Sequence, residues 1–82
     1  MITAADLRER VKRVPFSPFR IRTSFGQFFD VVNPAFVMVG KRIVVVGKPP
    51  HPDDEEFDLI QEVSIPHITS VERLENDNSK TS

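Results

Sequence analysis

Hydrophobic and polar positions recur at two different periods along this chain, and the change of period separates one helix from a series of strands. Leu7, Val11 and Val14 stand at i, i+4 and i+7, the spacing that stacks side chains on one helix face. Thr3 is suited to the N-cap, with Asp6 three residues on as a weaker form of the capping box. Ile2 and Leu7 take the positions of a hydrophobic staple. Asp6–Arg10 and Glu9–Arg13 are i,i+4 pairs with the acid leading, and basic residues crowd the last turn, where the helix dipole favours them. Pro15 pushes Val14 out of the helical region and ends the element. So short a helix is marginal alone, so its apolar stripe must dock on something.

After an extended connector from Pro15 to Pro18, with Phe16 as a plug between helix and sheet, the period becomes two. Phe19, Ile21 and Thr23 alternate with Arg20 and Arg22, which reads as a half-buried strand. Ser24 to Gln27 is a tight turn in which Gly26 supplies positive φ. In the return strand, Phe28 to Val32, apolar residues fall on both parities. Placing Asp30 outward sends Phe29 and Val31 inward and leaves Phe28 and Val32 outside. Asn33-Pro34 breaks the strand.

Phe36–Val39 and Ile43–Val46 form a second hairpin around Gly40-Lys41-Arg42, apolar enough to predict cover on both faces. Lys48 to Glu56 is a polar loop expected to be mobile. Phe57, Leu59, Val63 and Ile65 then share an inward parity, and Gln61 inside with Ile60 outside predicts a bend or bulge. Pro66-His67-Ile68 is a one-turn break before a last strand, Ser70 to Leu74. The expectation is a single domain over residues 1–75 with a disordered tail over 76–82. Its fold class is mainly β (α+β): a short N-terminal helix packed on a meandering antiparallel sheet of about six strands, partly closed as an SH3-like small barrel.

Composition agrees with strands. Ile, Leu, Val and Phe supply 27 of the 82 residues, with eleven Val, six Ile and seven Phe against three Leu; β-branched and aromatic side chains suit pleated surfaces. There is no cysteine, which excludes disulfides and thiolate chemistry and suits a reducing compartment. No apolar run approaches the roughly 20 residues that span a bilayer. The first residues lack the basic and apolar regions of a signal peptide, so a cytoplasmic location is expected.

Charge changes the picture more. Residues 1–48 hold nine Lys/Arg against three Asp/Glu, a balance of +6; residues 49–82 hold two against nine, a balance of −7. Such asymmetry hints at partners, unless the halves fold onto each other and cancel.

The segments Pro15-Phe16-Ser17-Pro18-Phe19-Arg20-Ile21, Gly26 with Phe29 and Val31, Asn33 to Val39, and Val63 to Ile68 with Val71-Glu72 resemble a group of short uncharacterised bacterial proteins. The resemblance spans about residues 3–75 and implies no activity; Phe25 and Phe28 stand where polar residues are usual in that group. More loosely, a helix before a strand meander with a one-turn break before the last strand is similar to Sm-like and other SH3-like small barrels. That likeness implies architecture and not function.

Candidate chemistry is sparse. His51 with Asp53, Asp54, Glu55 and Glu56 can offer cation ligands, but the ligand alternation and central Gly of a calcium loop are missing. A zinc site has too few ligands, since the second of two His, His67, lies elsewhere. No nucleophile elbow or phosphate loop occurs, and Gly26, Gly40 and Gly47 read as turn or strand-end residues. The expectation is no enzymatic activity, no metal and no cofactor. The preferred reading is a small protein-interaction or self-association module, with Phe25, Phe28 and Val32 as its interface and an unidentified protein or a second copy as partner. The alternative is an Sm-like nucleic-acid binder using Arg8, Lys12, Arg20, Arg22, Lys41 and Arg42, with Phe25 or Phe28 stacking a base. No membrane partner is expected.

Overall fold

The computed structural model describes residues 1–51 and 53–74. The tail at 76–82 lies outside the described residues. The helix α1, Ala4–Lys12, opens with both halves of the capping box: the Thr3 hydroxyl accepts from the Asp6 N–H at 3.2 Å, and Asp6 Oδ2 accepts from the Thr3 N–H at 2.9 Å. The Thr3 N–H, and after it the Thr3 hydroxyl, hold the Asp6 carboxyl below its ordinary pKa. Leu7 is buried and Val11 half-buried against the core, but the helix ends at Lys12 and Val14 stands exposed. The stripe is therefore one residue shorter than the spacing suggests, because Arg13 is already extended.

Six strands follow: β1 Phe19–Thr23, β2 Phe28–Val31, β3 Val37–Val39, β4 Ile43–Lys48, β5 Leu59–Ser64 and β6 Ile68–Arg73. They do not form one meandering sheet. Two antiparallel three-stranded sheets form instead, ordered β2-β1-β6 and β3-β4-β5, and no closed barrel results. The separation has a local cause. Asn33 caps a one-turn 3-10 helix, Pro34–Phe36, through its Oδ1 to the Ala35 N–H at 2.8 Å, and this turn carries the chain from β2 in one sheet to β3 in the other. A second one-turn helix, Ile65–His67, carries it back from β5 to β6, where proline suits the first turn. Phe36 thus belongs to a turn, and the last strand starts at Ile68.

Turn chemistry fixes the first hairpin. Gly26 has φ +81°, which L side chains rarely adopt. The Thr23 hydroxyl accepts from the N–H groups of Phe25 and Gln27 at 3.4 and 3.3 Å, so this buried polar side chain has partners. The Ser24 N–H donates to His67 O at 2.9 Å and ties the turn to the second 3-10 helix.

The core collects Leu7, Phe19, Ile21, Val31, Val37, Val44, Val46, Val63, Ile65 and Ile68 between the sheets, with Phe16, Phe29 and Val71 at its margin. Inward placement of Val31 and partial cover of Phe29 agree with the parity argument. Other expectations fail. Only one face of the β3–β4 hairpin is covered, since Met38 and Ile43 on its outer face are exposed. Leu59 is exposed and Phe57 only partly covered, because β5 runs out past the core at its first residues. No bulge occurs at Ile60-Gln61; the β4–β5 register runs unbroken from Ile43↔Ser64 to Lys48↔Leu59, and the register shift lies between Arg22 and Thr23 in the β1–β6 pair.

Candidate interaction surface

The outer face of the β2-β1-β6 sheet holds most of the residues singled out by the sequence. Cross-strand pairing sets Arg22 opposite Phe28 and Ser70, and Arg20 opposite Asp30 and Glu72. Arg20 grips Asp30 with two parallel bonds, Nε to Oδ1 at 2.7 Å and Nη2 to Oδ2 at 3.1 Å. The bond to Asp30, against a smaller opposing effect of desolvation, raises the Arg20 pKa above its ordinary value. Arg22 Nε donates to Glu72 Oε2 at 3.0 Å. The Arg20 guanidinium lies 4.2 Å from the centre of the Phe28 ring and that of Arg22 lies 6.0 Å from it, within the range of cation–π attraction. The phenyl ring is thus flanked by two arginines, each fixed by a carboxylate.

Phe28, Asp30 and Val32 share the outward parity. Phe28 is 52% and Val32 42% exposed, and Phe25 at the hairpin tip is 70% exposed. Phe25 rests on the His67 imidazole, ring centres 5.0 Å apart and tilted by 60°, so the two phenylalanines lean on different neighbours. The sequence placed all three outside, and they are outside.

The candidate nucleic-acid contacts lie on three separate elements. Arg8 and Lys12 are exposed on α1, where with Ala5, Glu9 and Arg13 they border a shallow depression. Lys41 and Arg42 are exposed at the β3–β4 tip. Arg20 and Arg22 are engaged by Asp30 and Glu72. Of the two ion pairs among the described residues, only Arg22–Glu72 joins the basic half of the chain to the acidic half.

The acidic loop closes on itself. The His51 N–H donates to Asp54 Oδ2 at 3.3 Å and the Asp54 N–H to His51 O at 3.0 Å. Among the described residues no three His, Cys, Asp or Glu side chains converge as a metal site would require.

Two features escaped the sequence reading. Phe57 lies over Gly47, whose absent side chain leaves room for the ring, and meets Phe36 edge-on at 5.6 Å. Gly47 is inside β4, so its role is close approach and not a turn. A cleft of about 120 Å³ separates the two sheets where they fail to join, lined by Phe28, Phe29, Asp30, Val46, Lys48 and Gln61. Among the described residues no helix is long and apolar enough to cross a membrane. In comparison with known proteins, no family model matches the chain, no curated protein matches it and no solved structure matches it. The likenesses to short bacterial proteins and to Sm-like barrels find no support there.

Proposed function

We propose that this domain is a non-enzymatic protein-interaction module whose working surface is the outer face and tip of the β1–β2 hairpin, with Phe25, Phe28 and Val32 as anchors. One observation carries the reading: Phe28 is held in place, still half exposed, by Arg20 and Arg22, which are themselves locked to Asp30 and Glu72. An aromatic ring ordered before binding loses little freedom when a partner covers it, and aromatic and arginine anchors dominate interface energetics. The same ion pairs argue against phosphate binding here, since each guanidinium already has its anion. Arg8, Lys12, Lys41 and Arg42, in no ion pair among the described residues, serve to steer a partner's approach. In this reading the paired sheets are an open, SH3-like arrangement working in a reducing, cytoplasmic setting.

The test compares immobilised wild-type chain with a Phe25→Asp, Phe28→Ser double variant. A protein retained by the first and not the second is identified, purified and titrated against both. Saturable binding to wild type, lost in the double variant of intact fold, is expected. Identical retention by both chains overturns the proposal.

A further inference from the structure

We propose that the free edge of β5 docks a second copy of this chain, forming a twofold dimer by antiparallel pairing of β5 with β5 about Gln61. The proposal goes beyond the hairpin surface and does not depend on it.

The ladder defines which groups are free. The Ile65 N–H donates to Arg42 O at 2.9 Å, and antiparallel alternation then turns the N–H and C=O of residues 59, 61 and 63 toward β4. Those of Ile60, Glu62 and Ser64 point away from it, and β4 is the only strand paired with β5 among the described residues. Natural edges are protected by charged side chains, proline or bulges. Leu59–Ser64 has no proline or lysine, a single charge at Glu62, and an unbroken register. It also exposes Leu59 by 57% and Ile60 by 61%.

Charge selects the occupant. Asp53, Asp54, Glu55, Glu56 and Asp58 lead into the start of β5, while its far end is bonded to the Lys41-Arg42 tip. The strand is therefore flanked by acid at one end and by base at the other. A twofold antiparallel pairing lays each acidic end beside the other copy's basic end, twice; a parallel pairing lays acid on acid.

Charge also sets the register. A twofold axis perpendicular to the sheet keeps both cores on one side and pairs residues of equal parity. Centring it on Glu62 sets that carboxylate against itself, and centring it on Ile60 sets Asp58 against Glu62. Centring it on Gln61 sets Leu59 against Val63 and Ile60 against Glu62, with no acid facing acid. In that register the outward groups of Ile60 and Glu62 bond reciprocally, and Gln61 faces its twin as a non-hydrogen-bonded pair, Cα atoms about 4.5 Å apart.

A cysteine at the axis tests this. The chain contains no cysteine, and two Cα atoms at that distance fall within the roughly 4.4–6.8 Å that a disulfide spans. Gln61→Cys is expected to cross-link into a covalent dimer on mild oxidation. Leu59→Cys should not, because residue 59 sits about 13 Å from its twin, four residues along the strand at roughly 3.3 Å each. Equal cross-linking of the two variants, or none, overturns the proposal. Sedimentation equilibrium provides the second readout. Wild type is expected at twice the 9.4 kDa chain mass, and Ile60→Pro, which removes an outward N–H and spares the β4 ladder, at the single mass. A wild-type monomer up to millimolar concentration overturns the proposal, as does a folded Ile60→Pro chain that stays dimeric; if that variant fails to fold, the cross-linking result decides. The Phe25→Asp, Phe28→Ser chain should still dimerise, and Ile60→Pro should still bind a hairpin partner, so the two proposals fail separately.

Discussion

Substituting Gly47 by alanine should destabilise this protein, and the sign of the effect should depend on a residue ten positions away. A Cβ built on Gly47 meets the Phe57 ring at 2.7 Å from Cγ and 2.8 Å from Cδ1, closer than side-chain carbons approach one another. The nearest atom is the root of the ring, so the ring must leave. Phe57 is 41% exposed, and somewhat more than half of the roughly 1.5–3 kcal/mol for burying a phenylalanine is at stake, about 1 kcal/mol. Its edge-on contact with Phe36 is worth about 0.5–1.5 kcal/mol more. Against this, replacing a strand glycine recovers about 0.5–1 kcal/mol of chain entropy, since Gly47 does not have positive φ. The net expectation is a loss of about 1 kcal/mol. In a Phe57→Ala background the obstacle is gone, and Gly47→Ala should become neutral or stabilising by up to about 0.5–1 kcal/mol. The assay is urea unfolding followed by far-ultraviolet circular dichroism, because the chain has no Trp or Tyr for fluorescence. An equal cost for Gly47→Ala in both backgrounds would refute the assignment of Phe57 to this glycine.

Other expectations follow from the same contacts. Ile21→Ala, at a fully buried site between the sheets, should cost about 2–5 kcal/mol in the same unfolding assay. Thr3→Ala removes the N-cap acceptor for Asp6 and should cost about 1 kcal/mol. Asp6 has a folded pKa below its unfolded one, so its contribution is complete above the unfolded value and is lost as pH falls through the folded value. Wild type should therefore exceed Asp6→Asn in stability at neutral pH, with the gap closing in acid; a gap independent of pH contradicts the capping account. Asp30→Asn should loosen Arg20 and, with it, the Phe28 ring, read as faster side-chain motion by nuclear magnetic resonance with little change in unfolding midpoint.

Local signals made much of this fold readable. The capping box at Thr3 and Asp6, the glycine turn at Gly26 and the breaks at Asn33-Pro34 and Pro66 all depend on neighbours in sequence, and all are where the pattern put them. What failed depends on distant geometry. Alternation in Phe57, Leu59, Val63 and Ile65 gives the side each faces but not how far the opposite sheet extends, so Leu59 shares the parity of Val63 yet overhangs the core. The apolar run in Met38 and Ile43 suggested two covered faces, whereas among the described residues the outer one is left exposed. The partners of Arg20 and Arg22 were unreadable for a related reason. Asp30 and Glu72 become neighbours only once β2 and β6 flank β1 on opposite sides, and β6 lies some fifty residues away, |i−j| = 50 for Arg22 and Glu72. For the candidate surface, parity sufficed to place Phe28 and Val32 outside, but nothing in the sequence shows that arginines hold the ring.

The proposed function is that the chain binds protein and not nucleic acid. Its most direct test is absolute mass by light scattering with refractive-index detection, at low and high salt, with ultraviolet absorbance recorded on the same peak. A chain without Trp or Tyr absorbs weakly, so bound nucleic acid would dominate the spectrum. The expected result is a dimer of the 9.4 kDa chain that persists in salt and carries no nucleic-acid absorbance. A larger ring that carries nucleic acid, sheds it steeply with salt and loses it with Arg20→Glu and Arg22→Glu would contradict the account.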